Sequence, residues 1–143
     1  MLVEQPYRVA GRRSPAPARQ LDAAWNVVVQ DLRDRELRGL PLVVGGRSLG
    51  ARVACRTVAE TGAGAVLCLA FPVEPPRSGR SRLDELDAVE VPTLVVQGSR
   101  DPFGMPPPGP GRTVAVVRGD HGLKADLEGI ADAVRAWLLA LEL

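Results

Sequence analysis

The chain has 143 residues and a formal net charge of +1, with 45% hydrophobic and 24% charged residues. This composition is typical of a single globular domain, residues 1–143, with an ordinary core. The low net charge provides no field to hold nucleic acid or an acidic membrane, and no apolar run is long enough to span a bilayer. Since MLVEQPYRV also lacks the features of a signal peptide, we expect a cytoplasmic protein.

Apolar runs alternate with segments of helical period along the chain, which predicts an open, mainly parallel α/β sheet flanked by helices. Residues 2–4 predict the end of a strand, and residues 6–19 predict a loop rich in proline, glycine and arginine. An apolar face with helical spacing predicts an amphipathic helix from about Arg19 to Arg38, with Gly39 as a candidate C-cap. The short apolar run 41–46 predicts a central parallel strand.

A second helix is predicted from Leu49 to about Glu60, and the glycines of 61–64 suit its C-cap. The remaining strands are predicted at 65–70, 92–98 and 113–117. Between them lie a proline- and arginine-rich excursion with a short helix around 83–86, and the segment MPPPGPG, which cannot be helical. The apolar stripe of a closing helix is formed by Ile130, Val134, Trp137, Leu138 and Leu141.

Metal and cofactor sites are not expected. Cys55 and Cys68 lie in apolar stretches, which favours buried, reduced thiols over a disulfide or a metal pair. One histidine and no CxxC make a zinc site improbable on residue types alone. The string GGRSLG lacks the lysine of a phosphate-binding loop, and no acidic residue closes a following strand, as a dinucleotide site would require.

Three polar residues follow three of the predicted strands. Ser48 comes after PLVVGG, Asp101 after PTLVVQG and His121 after TVAVV. Loops that leave the carboxyl ends of parallel strands converge at one edge of the sheet. A serine hydroxyl needs a base to become a nucleophile, an imidazole is that base near neutral pH, and a carboxylate orients the imidazole. The pattern predicts a Ser-Asp-His triad.

The pentapeptide Gly46-Arg47-Ser48-Leu49-Gly50 matches G-x-S-x-G, and the chain order is Ser, Asp, His. Both features resemble the nucleophile elbow of the α/β-hydrolase superfamily. We expect a strained turn at Ser48, with Cβ atoms at Gly46 and Gly50 colliding with a neighbouring strand or helix. The backbone amide of Leu49 would then face a developing oxyanion.

Other roles are open for several of these residues. Asp101 could serve as a turn or helix-capping aspartate before Pro102, and His121 alone could be a surface turn residue. Asp120 could replace Asp101 as the orienting acid, although it follows the wrong strand. Arg47, Arg77, Arg80 and Arg82 could flank the substrate and attract an anion, or form a solvated surface.

Longer strings resemble one branch of the superfamily: EQPYRVAGRR, GGRSLGARVA, FPVEPPRSGRSRLDEL, VVQGSRDPFG and GDHGLK. They are similar to small bacterial α/β-hydrolases related to dienelactone hydrolases, whose eukaryotic relatives include a subunit of the non-specific lethal histone-acetyltransferase complex. The resemblance covers essentially the whole chain. It implies Ser48 as nucleophile, Asp101 as the orienting acid and His121 as base, and it implies no particular substrate.

Two departures from that resemblance lead to expectations. Relatives begin with further strands and an HGxGG-type loop that supplies a second oxyanion amide, whereas Met1 stands just before what resembles the fourth strand. We therefore expect that Met1 is a misplaced start and that about 60 residues are missing before it. We also expect weak or absent activity of the short form. The missing strand would leave backbone groups of residues 41–45 unpaired inside the sheet. MPPPGPG replaces a helix of the relatives.

The sequence therefore predicts a serine hydrolase that cleaves a small ester, thioester or lactone through an acyl-Ser48 intermediate, without cofactor or metal. The expected partner is a small ester-like substrate, and nucleic acid and membrane are not expected. The alternative is a non-catalytic α/β-hydrolase-like domain that binds a protein or a small molecule. The sequence does not predict an oligomeric state.

Overall fold

A computed structural model of the protein describes residues 1–77 and 79–142. In this part of the chain, two N-terminal helices are followed by strands and helices that alternate, except that β4 follows β3 directly. The elements are α1 (Pro6–Val9), α2 (Ala18–Asp34), β1 (Val43–Arg47), α3 (Leu49–Thr61), β2 (Ala65–Leu69), α4 (Leu83–Asp87), β3 (Thr93–Gly98), β4 (Arg112–Val117) and α5 (Leu127–Ala140). The predicted α/β class is confirmed.

The four strands form one parallel sheet in the order β1-β2-β3-β4. Because each strand leaves the sheet in the same direction, the residues that follow β1, β3 and β4 meet at one edge. The most buried strand is β3, in which every residue from Thr93 to Gly98 is buried. This burial on both faces is what an uninterrupted apolar strand requires.

Successive side chains of a strand point to opposite faces of the sheet, and the sheet has a separate apolar core on each face. One core joins α3 to β2 and β3 through Ala54, Val58, Val66 and Val95. The other joins α5 to β3 and β4, and its members include Leu94, Val96, Val117, Ile130, Val134 and Trp137. Of the predicted stripe on α5, Leu138 is largely exposed, because the helix packs on only part of its apolar side.

The N-terminal predictions were partly wrong. Residues 2–4 form no strand, since Leu2 is fully exposed and Pro6, which cannot donate to a ladder, follows two residues later. Instead, Pro6 begins the short helix α1 inside the segment predicted as loop. β1 pairs only with β2 among the described strands, and its other side is a half-buried sheet edge.

Other element boundaries differ by a few residues. α2 ends at Asp34, and Gly39 lies in the turn that follows rather than at the helix C-cap. α3 ends as predicted, with Gly62 as a left-handed C-cap at φ +62°. The segment 105–111 is not helical, and its only ladder contact is an isolated bridge between Gly109 and Arg112.

Cys55 and Cys68 are buried free thiols, one on α3 and one on β2. Their sulfur atoms lie 3.5 Å apart, a proximity that the sequence did not predict. The hydrogen bond to Cys55, followed by burial, raises the pKa of the Cys68 thiol well above its usual value. Since the thiolate is the reactive form, Cys68 is held in its unreactive state. In the described residues, no helix has both the length and the apolar character to cross a membrane.

Candidate active site

Ser48 occupies a sharp turn between β1 and α3, with φ 53° and ψ −110°. Its amide donates to the carbonyl of Leu69 at 2.9 Å, which fixes the turn to the end of β2. A non-glycine residue at positive φ costs on the order of 1–3 kcal/mol and persists only where the surrounding structure enforces it. Ala70 and Leu123, which also have positive φ, follow β2 and β4 at the same edge. Backbone strain is therefore concentrated around Ser48.

The two glycines that flank this turn have different surroundings. A Cβ at Gly46 would lie 2.7 Å from the carbonyl oxygen of Gly50, too close for any side chain. A Cβ at Gly50 would meet no atom within 4 Å, so the predicted collision at this position was wrong. The turn is tight because the backbone at residue 46 contacts the first turn of α3, and only one of the two positions needs to lack a side chain.

Ser48, His121 and Asp101 form a continuous hydrogen-bonded chain. Ser48 Oγ lies 2.8 Å from His121 Nε2, and His121 Nδ1 lies 2.8 Å from Asp101 Oδ2. The side chain of His121 is 19% exposed, whereas that of Asp101 is fully buried. The carboxylate can therefore hold the Nδ1–H tautomer, which leaves Nε2 as an acceptor for the serine proton.

The buried carboxylate of Asp101 has two further donors. The Phe103 amide donates to Oδ1 at 2.9 Å, and Gln97 Nε2 donates to Oδ2 at 3.0 Å. Gln97 is the last but one residue of β3 and is completely buried. Neither Gln97 nor Phe103 was predicted from the sequence. A signal for Gln97 was present, because a glutamine stands near the end of a mainly apolar strand, four residues before the aspartate.

The alternative acid, Asp120, does not contact the imidazole in this structure. Its Oδ1 accepts from the Gly122 amide at 2.8 Å, which stabilises the turn that carries His121. Its neighbour His121 points instead toward Ser48 and Asp101. Adjacent residues in such a turn point in different directions, and this explains why the residue nearest in sequence is not the partner.

The amide of Leu49 begins α3 directly after Ser48. The first amides of a helix have no acceptor within the helix and carry the positive end of the helix dipole. An oxyanion that formed on a group attached to Ser48 Oγ would be near this end of α3. The Leu49 amide therefore stays the predicted oxyanion donor.

A cleft of about 320 Å³ opens beside Ser48. Leu21, Pro72 and Phe103 form apolar parts of its wall, together with residues 15, 16 and 18 of the segment that leads into α2. The Phe103 ring lies against the imidazole of His121, with ring centroids 4.3 Å apart. The N-terminal segment, which the sequence treated only as a loop, therefore closes one side of the cleft.

Charged side chains form the remaining wall of the cleft. Arg52 and Arg56 project from α3, and Arg82 precedes α4. Arg52 makes two hydrogen bonds to Glu85, of 2.8 and 2.6 Å. Arg56 makes two to Asp22, of 2.8 and 2.6 Å, and reaches both oxygens of Glu85 at 3.3 Å. These four bonded residues and the neighbouring Arg82 form the cleft arginine cluster: Asp22, Arg52, Arg56, Arg82 and Glu85.

Of the four arginines predicted to flank a substrate, only Arg82 lines this cleft. Arg47 is exposed and donates to the backbone oxygen of His121 at 3.3 Å. Arg77 and Arg80 are exposed on the outer part of the loop before α4. The Arg82 amide donates to the carbonyl of Val73 at 2.8 Å, which folds the end of the loop back to the cleft and leaves its middle outside. Of the two roles that the sequence left open for Arg47, Arg77 and Arg80, their exposure favours a solvated surface.

The parallel sheet and the turn that carries Ser48 have the arrangement of the α/β-hydrolase fold. The family model that matches residues 3–127 is described as an alpha/beta hydrolase domain, and the chain belongs to that family. A search of curated proteins found no match.

Solved structures of serine hydrolases share the fold. A lidless α/β serine hydrolase from Xanthomonas campestris aligns with a TM-score of 0.68 at 23% identity, over 92% of this chain and 63% of that one. An α/β serine hydrolase homologue from Coxiella burnetii gives 0.57 at 14% identity, over 90% and 60%. The thioesterase domain from the curacin biosynthetic pathway gives 0.55 at 14% identity, over 85% and 71%. The chain spans less than two thirds of the first two structures.

Proposed function

We propose that the protein is a serine hydrolase that cleaves a small ester, thioester or lactone through an acyl-Ser48 intermediate. The observation that carries the proposal is the pair of 2.8 Å hydrogen bonds that connect Ser48 Oγ to His121 and His121 to Asp101. A serine hydroxyl is a weak nucleophile unless a base accepts its proton. Here the base is in contact with the hydroxyl and is oriented by a buried carboxylate.

In the first half of the reaction, Ser48 Oγ attacks the substrate carbonyl while His121 Nε2 takes the hydroxyl proton. The imidazolium that forms is stabilised by Asp101, which accepts from Nδ1. The tetrahedral intermediate collapses when the bond to the leaving oxygen or sulfur breaks, and His121 returns the proton to that leaving group. The acyl group is then covalently attached to Ser48.

In the second half, water replaces the leaving group. His121 Nε2 accepts a proton from the water as its oxygen attacks the acyl carbon. Collapse of the second intermediate releases the acid and returns the proton to Ser48 Oγ. In both halves the negative oxygen can accept from the Leu49 amide, and removal of one such donor costs roughly 10²–10³ in rate in well-studied hydrolases. The chemistry uses only side chains and backbone of this chain, and no cofactor is invoked.

A small substrate is favoured by the cleft. Its volume of about 320 Å³ is at the lower end of the range for small-molecule sites. The apolar wall of Leu21, Pro72 and Phe103 suits a short hydrocarbon acyl group. Esters, thioesters and lactones differ in the leaving group but are cleaved by the same steps, so the proposal includes all three classes.

A fluorophosphonate probe tests this function, because such probes react with an activated serine and not with an ordinary hydroxyl. We expect labelling of the wild type and none of Ser48→Ala. Ser99→Ala is the matched control, since this exposed serine lies two residues before Asp101 and should leave labelling intact. His121→Ala should reduce labelling to the background level.

Failure of the probe to label the folded wild type would contradict the proposal. It would favour the alternative, a non-catalytic α/β-hydrolase-like domain that binds a protein or a small molecule. Circular dichroism of the same sample establishes that the protein is folded, so the two explanations for absent labelling are separated.

A further inference from the structure

Arg82 is the one member of the cleft arginine cluster that has no acidic partner among the described residues. Arg52 is bonded to Glu85 and Arg56 to Asp22, with Glu85 also within reach of Arg56. No hydrogen bond or ion pair of the Arg82 guanidinium is found in this part of the chain. Three guanidinium groups thus share two carboxylates, and one positive charge remains in the cleft that contains Ser48.

The position of Arg82 is fixed by its backbone. Its amide donates to the carbonyl of Val73, the neighbour of Pro72 in the cleft wall, at 2.8 Å. Its side chain is half-buried rather than extended into solvent. The two neighbouring guanidiniums are held by their carboxylates, so they cannot turn away to relieve their repulsion of the third.

This crowding disfavours the charged form of Arg82. Burial, followed by the positive charge of Arg52, lowers the pKa of Arg82, while Glu85 opposes the shift only in part. Arginine nevertheless stays charged near neutral pH. An anion bound at this point would relieve the repulsion, whereas a neutral ligand would not. The unpaired charge of Arg82 lowers the stability of the folded protein, and such a cost is typical of a residue that binds a ligand.

We propose that Arg82 binds a carboxylate of the substrate, so that the protein acts on small esters, thioesters or lactones that carry a second, free carboxylate. This inference rests on the proposed hydrolase function and adds the charge of the substrate to it. A planar guanidinium matches a carboxylate through two parallel N–H···O bonds. The single excess positive charge of the cluster equals the single negative charge of a carboxylate.

Two esters of equal acyl length test the inference. Monoethyl glutarate carries a free carboxylate, and ethyl pentanoate has a methyl group in its place. We expect the wild type to prefer the anionic ester in kcat/KM. In Arg82→Gln the ratio of the two kcat/KM values should fall roughly tenfold or more, as for loss of a hydrogen bond to a charged group.

Arg77→Gln is the matched control. It removes the same charge from the same loop, five residues away, at an exposed position that lines neither the cleft nor the adjoining pocket beside Arg82. The ratio should not change in this variant. A long-range effect of total charge would instead lower the ratio equally in both variants, and that result would overturn the assignment of Arg82.

Binding can also be measured without turnover. Glutarate should slow fluorophosphonate labelling of Ser48 in the wild type and have much less effect in Arg82→Gln, at an ionic strength matched with sodium chloride. If Ser48 is labelled and both esters are cleaved without a charge preference, the inference is wrong while the hydrolase function stands. If folded wild type is not labelled at all, the hydrolase function fails and the inference fails with it.

Discussion

Gln97 Nε2 donates to Asp101 Oδ2 at 3.0 Å inside the protein, on the side of the carboxylate that also contacts His121. The same nitrogen lies 3.0 Å from the carbonyl of Phe71 and 2.8 Å from that of Gly104. One amide group therefore connects the ends of β2 and β3 to the loop that carries Asp101. Its oxygen has no partner in the described part of the chain, so Nε2 makes all the hydrogen bonds of this side chain there.

We expect Gln97→Met to reduce kcat roughly 10- to 100-fold with little change in KM, because the substitution removes the Gln97 donor to Asp101 Oδ2 without altering the cleft wall. The measurement is ester hydrolysis normalised to the sites that a fluorophosphonate titrates. Thr93→Val is the control, since it removes another buried polar group from β3 far from the site. If both variants lose stability but neither loses rate per titrated site, Gln97 is structural only.

The strained backbone of Ser48 predicts that two substitutions differ in their effect on stability. Ser48→Gly should raise the free energy of unfolding by about 1 kcal/mol, because glycine adopts φ 53° without the steric penalty. Ser48→Ala keeps a Cβ and should give no such gain. Both should abolish labelling. Urea unfolding of the two variants checks the difference, and equal stabilities would show that the turn stores no strain at this residue.

The two glycines of the turn should respond differently to alanine. Gly46→Ala places a methyl group against the Gly50 backbone and should cost about 3 kcal/mol or more, or prevent folding. Gly50→Ala enters open space on a helix and should be neutral or stabilising by about 0.5–1 kcal/mol. Thermal unfolding distinguishes the pair. A large loss in Gly50→Ala would contradict the structure and restore the sequence-based expectation.

Glu85 makes the stability depend on acid pH. Burial alone would raise the pKa of Glu85, but the hydrogen bonds and charges of Arg52 and Arg56 outweigh it and lower the pKa from its ordinary value of 4.5. A lowered carboxyl pKa stabilises the folded state above pH 4.5, and this stabilisation disappears as the pH falls through the folded-state pKa.

Glu85→Gln should therefore cost about 1–3 kcal/mol at neutral pH and progressively less in acid. The measurement is urea unfolding of wild type and variant between neutral pH and pH 3. Glu60→Gln, an exposed position on α3, should stay within about 0.5 kcal/mol of the wild type throughout. A deficit in Glu85→Gln that does not shrink with acid would mean that the charge of Glu85 contributes nothing.

Local patterns predicted the elements of the central and C-terminal parts well. The strands after residue 41 and the helix α3 have bounds within about two residues of their predictions, because each is an apolar run bounded by glycine or proline. The prediction was wrong for residues 2–4, where three residues cannot distinguish a strand from an extended segment. It was wrong at Gly50 because the motif does not specify which glycine contacts which backbone.

The sequence by itself determined the parallel α/β class and the candidates Ser48, Asp101 and His121, since residue types and strand ends are local properties. Only the tertiary structure decided that Gln97 holds Asp101, that residues 15–18 close the cleft, and that Arg82 and not Arg80 lines it. These features depend on contacts between segments far apart in the chain. The charge of Arg82 is unpaired because the fold brings Arg52 and Arg56 beside it, and these two residues bind the two carboxylates of the cluster.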